Sequence, residues 1–514
     1  MCQNIESAKP AMTAAPMDTQ AGVKATRREQ DSIGEMDVPV DAYYGVQSLR
    51  AQRNFPITGQ PMHPMFIRNL ALVKKAAAIT NRAAGSLDPE KAAAIIGACE
   101  EVMAGRLADQ FIVDNIQGGA GTSANMNMNE VLANRAGEML GDPLGHYAAV
   151  HPNDHVNMSQ STNDVIPTAG KLTVLDLLGT LQKSLEALRA ELDRKSEEFD
   201  DVLKMGRTQL EDAVPMRLGQ TFHGYSSMVT RCEERIVSVK SEMCAVNLGG
   251  TAIGTAINVP PYYLRTIVPN LVALTGYPLH QAADLFDATE NLDAFAAVSG
   301  AVKSCAMSIS KMCNDLRLLS SGPRTGFCEI NLPAMQNGSS IMPGKVNPVI
   351  PEVVNQAAFL VMGNDVTVSM AVEAGQMELN AFEPVIFRAL FEEIDVLSNY
   401  IDTLTVNCIA GITANRERCR ELMEMSVGVA TALCPYIGYA KAAAVAKEAL
   451  RTKRSVRELV LEQGLLDEET LDAVEDPYSM TDPAGTDRYV RRPQPALQPD
   501  SVALGRRMPP LSPT

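Results

Sequence analysis

The sequence predicts a mainly α fold with a central bundle of long helices. Aromatic residues make up only 5% of the 514 residues, tryptophan is absent, and alanine, leucine, methionine and glutamate are plentiful. Alanine and straight-chain residues lose little conformational freedom in a helix, so this composition favours helices over strands. Two long stretches with helical apolar periodicity, and a third that is apolar nearly all round, support the same prediction.

The first two stretches each carry an apolar seam along one side of a helix. The second seam runs from Phe295 to Leu319 in alternating steps of three and four, and Gly322 and Pro323 follow as stop signals. A seam with this spacing has to be buried against partner helices. The first seam has the same alternation and consists of Leu178, Leu181, Leu185, Leu188 and Leu192.

The third stretch follows Glu352 and reads VVNQAAFLVMGNDVTVSM. Its apolar residues lie on almost every side of a helix. We therefore expect a helix that is buried on several sides, either at the centre of a bundle or at a subunit interface. Strand signals are sparse along the whole chain.

Both ends of the chain lack helical or strand periodicity. Residues 1–28 are small and polar without an apolar signal-peptide core, so we expect a disordered extension. This composition leaves an organellar address open but gives it no support. Residues 491–514 form a Pro-rich tail that is equally unsuited to packing.

Charge and motif content exclude several classes of function. The 45 basic and 61 acidic residues give a net charge of −16 without a basic patch, so nucleic acid is not an expected partner. The apolar runs are too short to span a membrane, and scattered cysteines without CxxC pairs suit a reduced, cytoplasmic setting. His151 and His155 stand four apart, but Pro152 separates them and no third ligand is obvious, so we predict no metal site.

Four polar stretches interrupt the helical pattern. Ser, Thr, Asn and Gly residues at helix ends can serve simply as caps. Together, however, neutral donors, helix N-termini and one lysine make a site for a small dianion, and this is our interpretation. The stretches are GGAGTSANMNMNE with Thr122, HPNDHVNMSQSTND with Ser161, Thr162 and Asn163, MGRTQLEDAVP with Thr208 and Gln209, and GSSIMPGKVNP with Ser339, Ser340, Lys345 and Asn347.

With these stretches assembled, the chain resembles the aspartase/fumarase superfamily over residues 28–489. GSSIMPGKVNP matches the signature loop of that superfamily, and DAYYGVQSLRAQRNF and EAGQMELNAFEPVI extend the likeness. Within the superfamily the chain is most similar to the aspartate ammonia-lyases. Fumarases typically have histidine in place of Gln209 and a second serine in place of Thr162, although some aspartases also have that histidine. VIPEVVNQ after the signature loop likewise resembles aspartases more than fumarases.

The resemblance implies a role for each candidate residue. Ser339 matches the catalytic base, which acts as an alkoxide, and Ser340 adds a donor. Lys345 and Asn347 match the positions that grip the α-carboxylate of the substrate. The remaining positions match residues that hold the other carboxylate, namely Thr122, Ser161, Thr162 and Thr208, or that lie near the amino group, namely Asn163 and Gln209.

The resemblance also implies the domain organisation and the assembly. We expect a mainly helical N-terminal domain (29–162), a central long-helix bundle (163–417) that carries the signature loop (338–348), and a small helical C-terminal domain (418–490). We further expect a homotetramer whose active sites each combine residues of three subunits. The long apolar seams agree with this, because they need more partners than one chain provides.

The reaction that the resemblance implies is the reversible deamination of L-aspartate to fumarate and ammonia, by anti elimination through an aci-carboxylate intermediate. Class II fumarate hydratase is the main alternative, and a non-catalytic helical scaffold is a remote one. No cofactor is expected to be required. Activation by a divalent cation such as magnesium, as in some relatives, is left open by the sequence.

Overall fold

The computed structural model describes residues 25–338 and 340–482, and these residues are mainly helical, as predicted. The helices are α1 Val46–Asn54, α2 Pro64–Ala83, α3 Pro89–Met103, α4 Thr122–Met139, α5 Thr162–Glu198, α6 Leu218–Val239, α7 Pro261–Thr275, α8 Asp287–Glu290, α9 Asp293–Leu319, α10 Val349–Glu373, α11 Glu383–Asn407, α12 Arg416–Met425, α13 Ala430–Ile437, α14 Tyr439–Thr452, α15 Val456–Glu462, α16 Glu468–Val474 and α17 Pro477–Thr481. None of the helices in this described part is long and apolar enough to cross a membrane.

Short strands pair only with one another. The antiparallel pairs are β1 Thr26–Gln30 with β2 Glu35–Pro39, β3 Leu203–Thr208 with β4 Glu211–Arg217, and β7 Ile330–Asn331 with β8 Thr413–Ala414. The parallel pair is β5 Ala245–Val246 with β6 His280–Gln281. In the described part of the chain the strands therefore form two hairpins and two short pairs between segments distant in sequence, rather than a core sheet.

The chain divides into two compact units, each built from segments that are distant in sequence. Within the described residues, unit 1 comprises 25–187, 229–313 and 352–403, and unit 2 comprises 188–228, 314–351 and 404–482. The division into three consecutive domains that the resemblance implies stays a prediction.

Long helices form the core of unit 1, and their predicted seams are buried. Leu178, Leu181 and Leu185 of α5 are fully buried, and so is the run of α9 that begins at Phe295. Gly170 of α5 allows close packing, because a Cβ there would lie 2.3 Å from Cζ of Phe387 in α11. The sequence therefore predicted the buried faces of these helices correctly.

A polar cluster lies inside the same bundle. Ser299 Oγ of α9 is 3.0 Å from Glu393 Oε2 of α11 and 3.0 Å from Asp365 Oδ1 of α10, and Lys303 Nζ is 2.5 Å from Asp365 Oδ2. A hydroxyl has one hydrogen and can donate to only one of two carboxyl groups. Burial raises the pKa of Glu393 to about 9, so this group can be the protonated partner.

The third apolar stretch lies in α10, and the single chain buries one side of this helix. Burial of the other sides at a subunit interface, which the sequence pattern also allows, stays a prediction. Val354, Ala358 and Val361 face the core and are fully buried. On another side of the helix, Phe359 is 61% exposed and Met370 is 67% exposed. The sequence pattern cannot separate burial within a chain from burial between chains, and the single chain supplies partners for one side only.

Unit 2 contains the β3–β4 hairpin and a small helical cluster. Leu433, Val445, Val460 and Leu471 are the centre of this cluster, which is formed by α13 to α16. These four residues lie on helices that follow one another in the chain, so a continuous stretch of sequence forms this small core. The Pro-rich tail predicted for 491–514 lies outside the described residues.

The N-terminal strand begins before the boundary predicted at residue 28. β1 starts at Thr26, so residues 26–28 of the predicted extension belong to a hairpin. The Arg27 guanidinium explains the difference, because it donates to the carbonyls of Pro39 (2.9 Å) and Val40 (3.1 Å) and to Glu29 Oε1 (2.8 Å). Residues 1–24 lie outside the described part.

Candidate active site

The N-terminus of α5 is built on a reciprocal capping box. The Asn163 amide donates to Ser161 Oγ (3.3 Å), and the Ser161 amide donates to Asp164 Oδ1 (2.9 Å). This exchange satisfies backbone donors that a helix start otherwise leaves unpaired. Ser161 therefore caps α5, while its contact with substrate stays a prediction, and Thr162 is the first helical residue.

Asp164 also fixes the segment that follows β5. Its Oδ2 accepts hydrogen bonds from the amides of Gly249 (3.0 Å) and Thr251 (3.1 Å). The carboxyl is fully buried, and this burial raises its pKa to about 6 although the backbone donors act in the opposite direction. The start of α5 is therefore held rigidly on both sides of Thr162.

Asn163 is held by an arrangement that depends on a proline. Pro167 has no amide hydrogen to donate to the Asn163 carbonyl four residues earlier. Asn247 Nδ2 donates to that carbonyl instead, at 2.9 Å. Asn163 Nδ2 donates in turn to the carbonyl of Ala252 at 2.7 Å. Both the backbone and the side chain of Asn163 thus have defined positions.

Thr122 is the first residue of α4 and follows a glycine-rich turn. Gly119 and Gly121 have φ values of +73° and +84°, which favour glycine. A Cβ at Gly121 would lie 2.9 Å from Cγ2 of Ile166, so this glycine lets the start of α4 approach α5. The Thr122 side chain is exposed, and its hydroxyl donates to the Gly119 carbonyl at 2.5 Å.

Thr208 and Gln209 lie at the tip of the β3–β4 hairpin. Thr208 pairs with Glu211, and the two residues between them, Gln209 and Leu210, have φ values of +57° and +69°. Positive φ at both positions is typical of a type I′ turn, which normally carries asparagine or glycine. Such strain in other residue types is found mostly at functional sites. The tip is exposed in the single chain.

The signature loop is closed by backbone contacts at its ends. Asn337 and Val346 form a β-bridge, the Gly338 amide donates to the Lys345 carbonyl (2.9 Å), and Asn347 Nδ2 donates to the Gly338 carbonyl (2.9 Å). A Cβ at Gly338 would lie 2.2 Å from that Lys345 oxygen, so the close approach expected from the glycine is present.

The predicted site residues fall into two groups. Thr122, Ser161, Thr162 and Asn163 lie in unit 1, and Thr208, Gln209, Ser340, Lys345 and Asn347 lie in unit 2. Within unit 1, Asn125 Nδ2 of α4 donates to Thr162 Oγ1 at 3.1 Å and so joins the starts of α4 and α5. In unit 2, the side chains of Ser340 and Lys345 are exposed. Ser339, the predicted base, lies outside the described residues.

Sequence reasoning missed the buried polar residues behind Thr162. Asn125 lies in one of the four polar stretches without a predicted role, and Lys74 of α2 has none either, although a lysine inside the run LALVKKAAA is a usable signal. His151 and His155 were considered as metal ligands. Their Nδ1 atoms instead accept backbone donors, at 3.2 Å from the Asp154 amide and 2.8 Å from the His151 amide respectively. In the described part of the chain, no group of three or more His, Cys, Asp or Glu residues could hold a metal ion.

Comparison with known families defines the class of this protein. A family model described as "Lyase" matches residues 34–363, and another described as "Fumarase C C-terminus" matches residues 429–482. The first match alone covers more than half of the chain. The chain therefore belongs to this family of lyases, the aspartase/fumarase superfamily that the signature loop predicts.

Curated relatives share about half of the sequence. The aspartate ammonia-lyase of a Bacillus species is 51% identical over 457 residues, which are 89% of this chain and 98% of the relative. That of Bacillus subtilis is 50% identical, with 90% and 97% covered. That of Pseudomonas aeruginosa is 52% identical, with 90% and 98% covered.

Solved structures agree on the fold. A protein described as fumarate lyase:delta crystallin from Brucella melitensis, bound to cobalt, is 49% identical with a TM-score of 0.87, and the match covers 89% of this chain and 99% of that one. A class II fumarase from Schistosoma mansoni is 36% identical with a TM-score of 0.85 over 90% of this chain and all of the fumarase.

Proposed function

We propose that this protein is an aspartate ammonia-lyase that converts L-aspartate reversibly to fumarate and ammonia. The observation that carries the proposal is the identity of 50–52% to several aspartate ammonia-lyases over 97–98% of their lengths. The carbon–nitrogen lyase class follows from the same relatives.

The starts of α4 and α5 supply the donors for one carboxylate. Thr122 and Thr162 are each the first residue of a long helix, where the helix dipole favours an anion. Thr208 at the hairpin tip supplies a further hydroxyl. Asn163 and Gln209 recognise the amino group, and Lys345 with Asn347 binds the α-carboxylate. Lysine suits this role because it brings positive charge without a competing acceptor.

Ser339 is the proposed base, acting as an alkoxide that removes the proton next to the β-carboxylate. The electrons move into that carboxylate to give an aci-carboxylate dianion, and the C–N bond breaks to release ammonia on the opposite face. Losing one donor to such a developing charge typically costs about 3–4 kcal/mol. Backbone donors and positive charge around Ser339 would stabilise its ionised form, with Ser340 as an added donor.

We infer that the active assembly is a homotetramer in which three subunits contribute to each site. The exposed apolar side of α10 supports this, because Phe359, Val366 and Met370 lie open in the single chain. Ile341 in the signature loop is 83% exposed, and a partner subunit that covers the loop would explain an apolar residue there. Light scattering of the purified protein tests the assembly.

The proposed reaction needs no cofactor, because serine, lysine and neutral donors supply the whole chemistry. Activation by a divalent cation such as magnesium is the alternative that the sequence leaves open. Turnover measured with chelator and then with added magnesium decides between a strict requirement, an activation and no effect.

Class II fumarase activity is the second candidate, favoured by the match to the Schistosoma mansoni fumarase and to the fumarase C-terminal model. Ultraviolet absorbance of fumarate, followed from L-aspartate and L-malate in parallel, separates the candidates. We expect turnover of L-aspartate alone. Turnover of L-malate alone would replace the proposal with a fumarase that works without the usual histidine at position 209, and inertness toward both would leave a scaffold.

A further inference from the structure

A fully buried lysine begins a hydrogen-bond network that ends at the hydroxyl of Thr162. Lys74 Nζ of α2 donates to Asn157 Oδ1 at 2.9 Å. The same oxygen accepts from Asn125 Nδ2 at 3.2 Å and from Asn129 Nδ2 at 3.3 Å. Burial lowers the pKa of Lys74 to about 7. A buried ammonium is costly, and its retention needs a reason.

Asn125 extends this network to Thr162. Its Nδ2 carries two hydrogens, one directed to Asn157 Oδ1 and the other to Thr162 Oγ1 at 3.1 Å. Because Thr162 Oγ1 accepts a hydrogen bond from Asn125 Nδ2, the hydroxyl hydrogen of Thr162 has to point away from Asn125. A hydroxyl oriented in this way can donate to an anion that binds on the side of Thr162 opposite Asn125.

The buried carboxyl of Asp164 is the opposite charge that Lys74 meets, and it acts against the effect of burial on the Lys74 pKa. Anchoring of the neighbouring loop does not by itself require a lysine. The loop that contains Asn157 is already held to α2 by Asn81, whose Nδ2 donates to the Met158 carbonyl (2.9 Å) and whose Oδ1 accepts from Ser159 Oγ (3.0 Å). A neutral side chain would serve at position 74 if anchoring were the only need. A cation at position 74 holds Asn157 Oδ1 where Asn125 and Asn129 of α4 donate to it, and it adds positive charge near a site for a dianion.

We propose that Lys74 is a positioning residue for substrate: through Asn157 and Asn125 it orients the Thr162 hydroxyl to donate to a substrate carboxylate. The inference rests on the proposed function, in which Thr162 contacts that carboxylate. Lys74 itself touches no substrate. Its effect is transmitted by three consecutive hydrogen bonds, all within unit 1.

A double-mutant cycle tests the proposal. Lys74→Met, Thr162→Val and the double variant are compared for kcat/KM with L-aspartate, for inhibition by succinate and for thermal stability. Lys75→Met is the matched control, because Lys75 is the next residue of α2 and its Nζ pairs with Glu100 Oε1 at 2.7 Å. We expect Lys74→Met to lower kcat/KM by about ten- to a hundredfold and to weaken succinate binding, since small misplacement of a binding group is enough for such losses. Lys75→Met should change neither.

Coupling is the decisive result. If Lys74 acts through Thr162, Lys74→Met will add little to the loss already caused by Thr162→Val. Multiplicative losses in the double variant, or a lower melting temperature with unchanged succinate binding, would overturn the role of Lys74. Should Lys74→Met fail to fold, the cycle of Asn125→Ala with Thr162→Val tests the same path. A Thr162→Val enzyme with normal kinetics would instead contradict the placement of Thr162 in the proposed function.

Discussion

Glu329 and Arg207 form a buried ion pair directly before the hairpin tip that carries Thr208. Glu329 Oε1 lies 2.7 Å from Arg207 Nη1, and its Oε2 lies 3.2 Å from Lys204 Nζ. Glu329 is fully buried, and the Arg207 guanidinium lies 4.2 Å from the centre of the Phe327 ring. One carboxylate thus holds two cations of β3 and fixes the base of the hairpin.

Glu329→Ala should destabilise the protein strongly, because it leaves the buried Lys204 and the partly buried Arg207 without their anion. A buried charge that loses its partner costs about 3–5 kcal/mol of unfolding free energy. Asp201→Ala is the control, since Asp201 pairs with Arg416 at the surface and such pairs contribute about 0–1 kcal/mol. Urea unfolding measures both variants. Equal losses would show that the Glu329 pair does not stabilise the hairpin base.

Gly338→Ala should abolish turnover while leaving the fold intact. A methyl group at this position would lie 2.2 Å from the Lys345 carbonyl oxygen, so the ends of the signature loop cannot keep their present contact. Gly224→Ala in α6 is the control, because a Cβ there meets nothing within 4 Å in the single chain. Steady-state kinetics and circular dichroism are the measurements. Normal turnover of Gly338→Ala would mean that the loop works without this contact.

Ser339→Ala should fold and assemble normally yet lose nearly all turnover, because it removes the proposed base. The substitution deletes one oxygen and adds no bulk. Ser320→Ala is a suitable control, since the Ser320 hydroxyl donates to the Arg317 carbonyl at an exposed position. Fumarate formation and native mass are measured for both. Wild-type turnover in Ser339→Ala would remove this serine from the mechanism.

Glu393→Gln should reduce the steepness with which the unfolding free energy falls as pH rises from 4.5 to about 9. Burial raises the pKa of Glu393 from 4.5 to about 9, so between these values the folded chain binds a proton that the unfolded chain has released. Unfolding free energy therefore falls as pH rises through this interval. The amide keeps the shape without titrating, so the variant should show a shallower decline.

Urea unfolding at pH 5, 7 and 9 measures this slope for the wild type, Glu393→Gln and Glu392→Gln. Glu392 precedes Glu393 in α11, but its side chain is partly exposed. Its substitution should leave the slope unchanged. Identical slopes for wild type and Glu393→Gln would show that Glu393 does not bind the extra proton of the folded chain.

The sequence predicted most reliably what depends on local pattern. The seam of α9 and its end at Leu319 follow from apolar spacing and from the Gly322–Pro323 stop, and the structure confirms both. The signature loop was found because eleven consecutive residues carry the match. By contrast, the strand at Thr26 depends on Arg27 contacts with residues 12 and 13 positions away, which no local period reveals.

Parts of the site could not be predicted because they depend on tertiary contacts. Asn125 reaches Thr162 across 37 positions, and Lys74 reaches Asn157 across 83. Nothing in the spacing of these residues indicates that they meet. Capping and substrate binding at Ser161 also use the same residue types at the same helix end, so the sequence pattern does not separate the two roles.

The open side of α10 has a consequence for how the protein is produced. If the homotetramer proposed above forms through this side, a newly folded chain presents Phe359, Val366 and Met370 to water until a partner covers them. Correct assembly and non-specific aggregation then compete for the same exposed apolar surface, and the rates of both increase with protein concentration. Recovery of activity after dilution from denaturant should therefore be greatest at an intermediate protein concentration. Below this concentration chains encounter one another too rarely to assemble, and above it aggregation removes more of them.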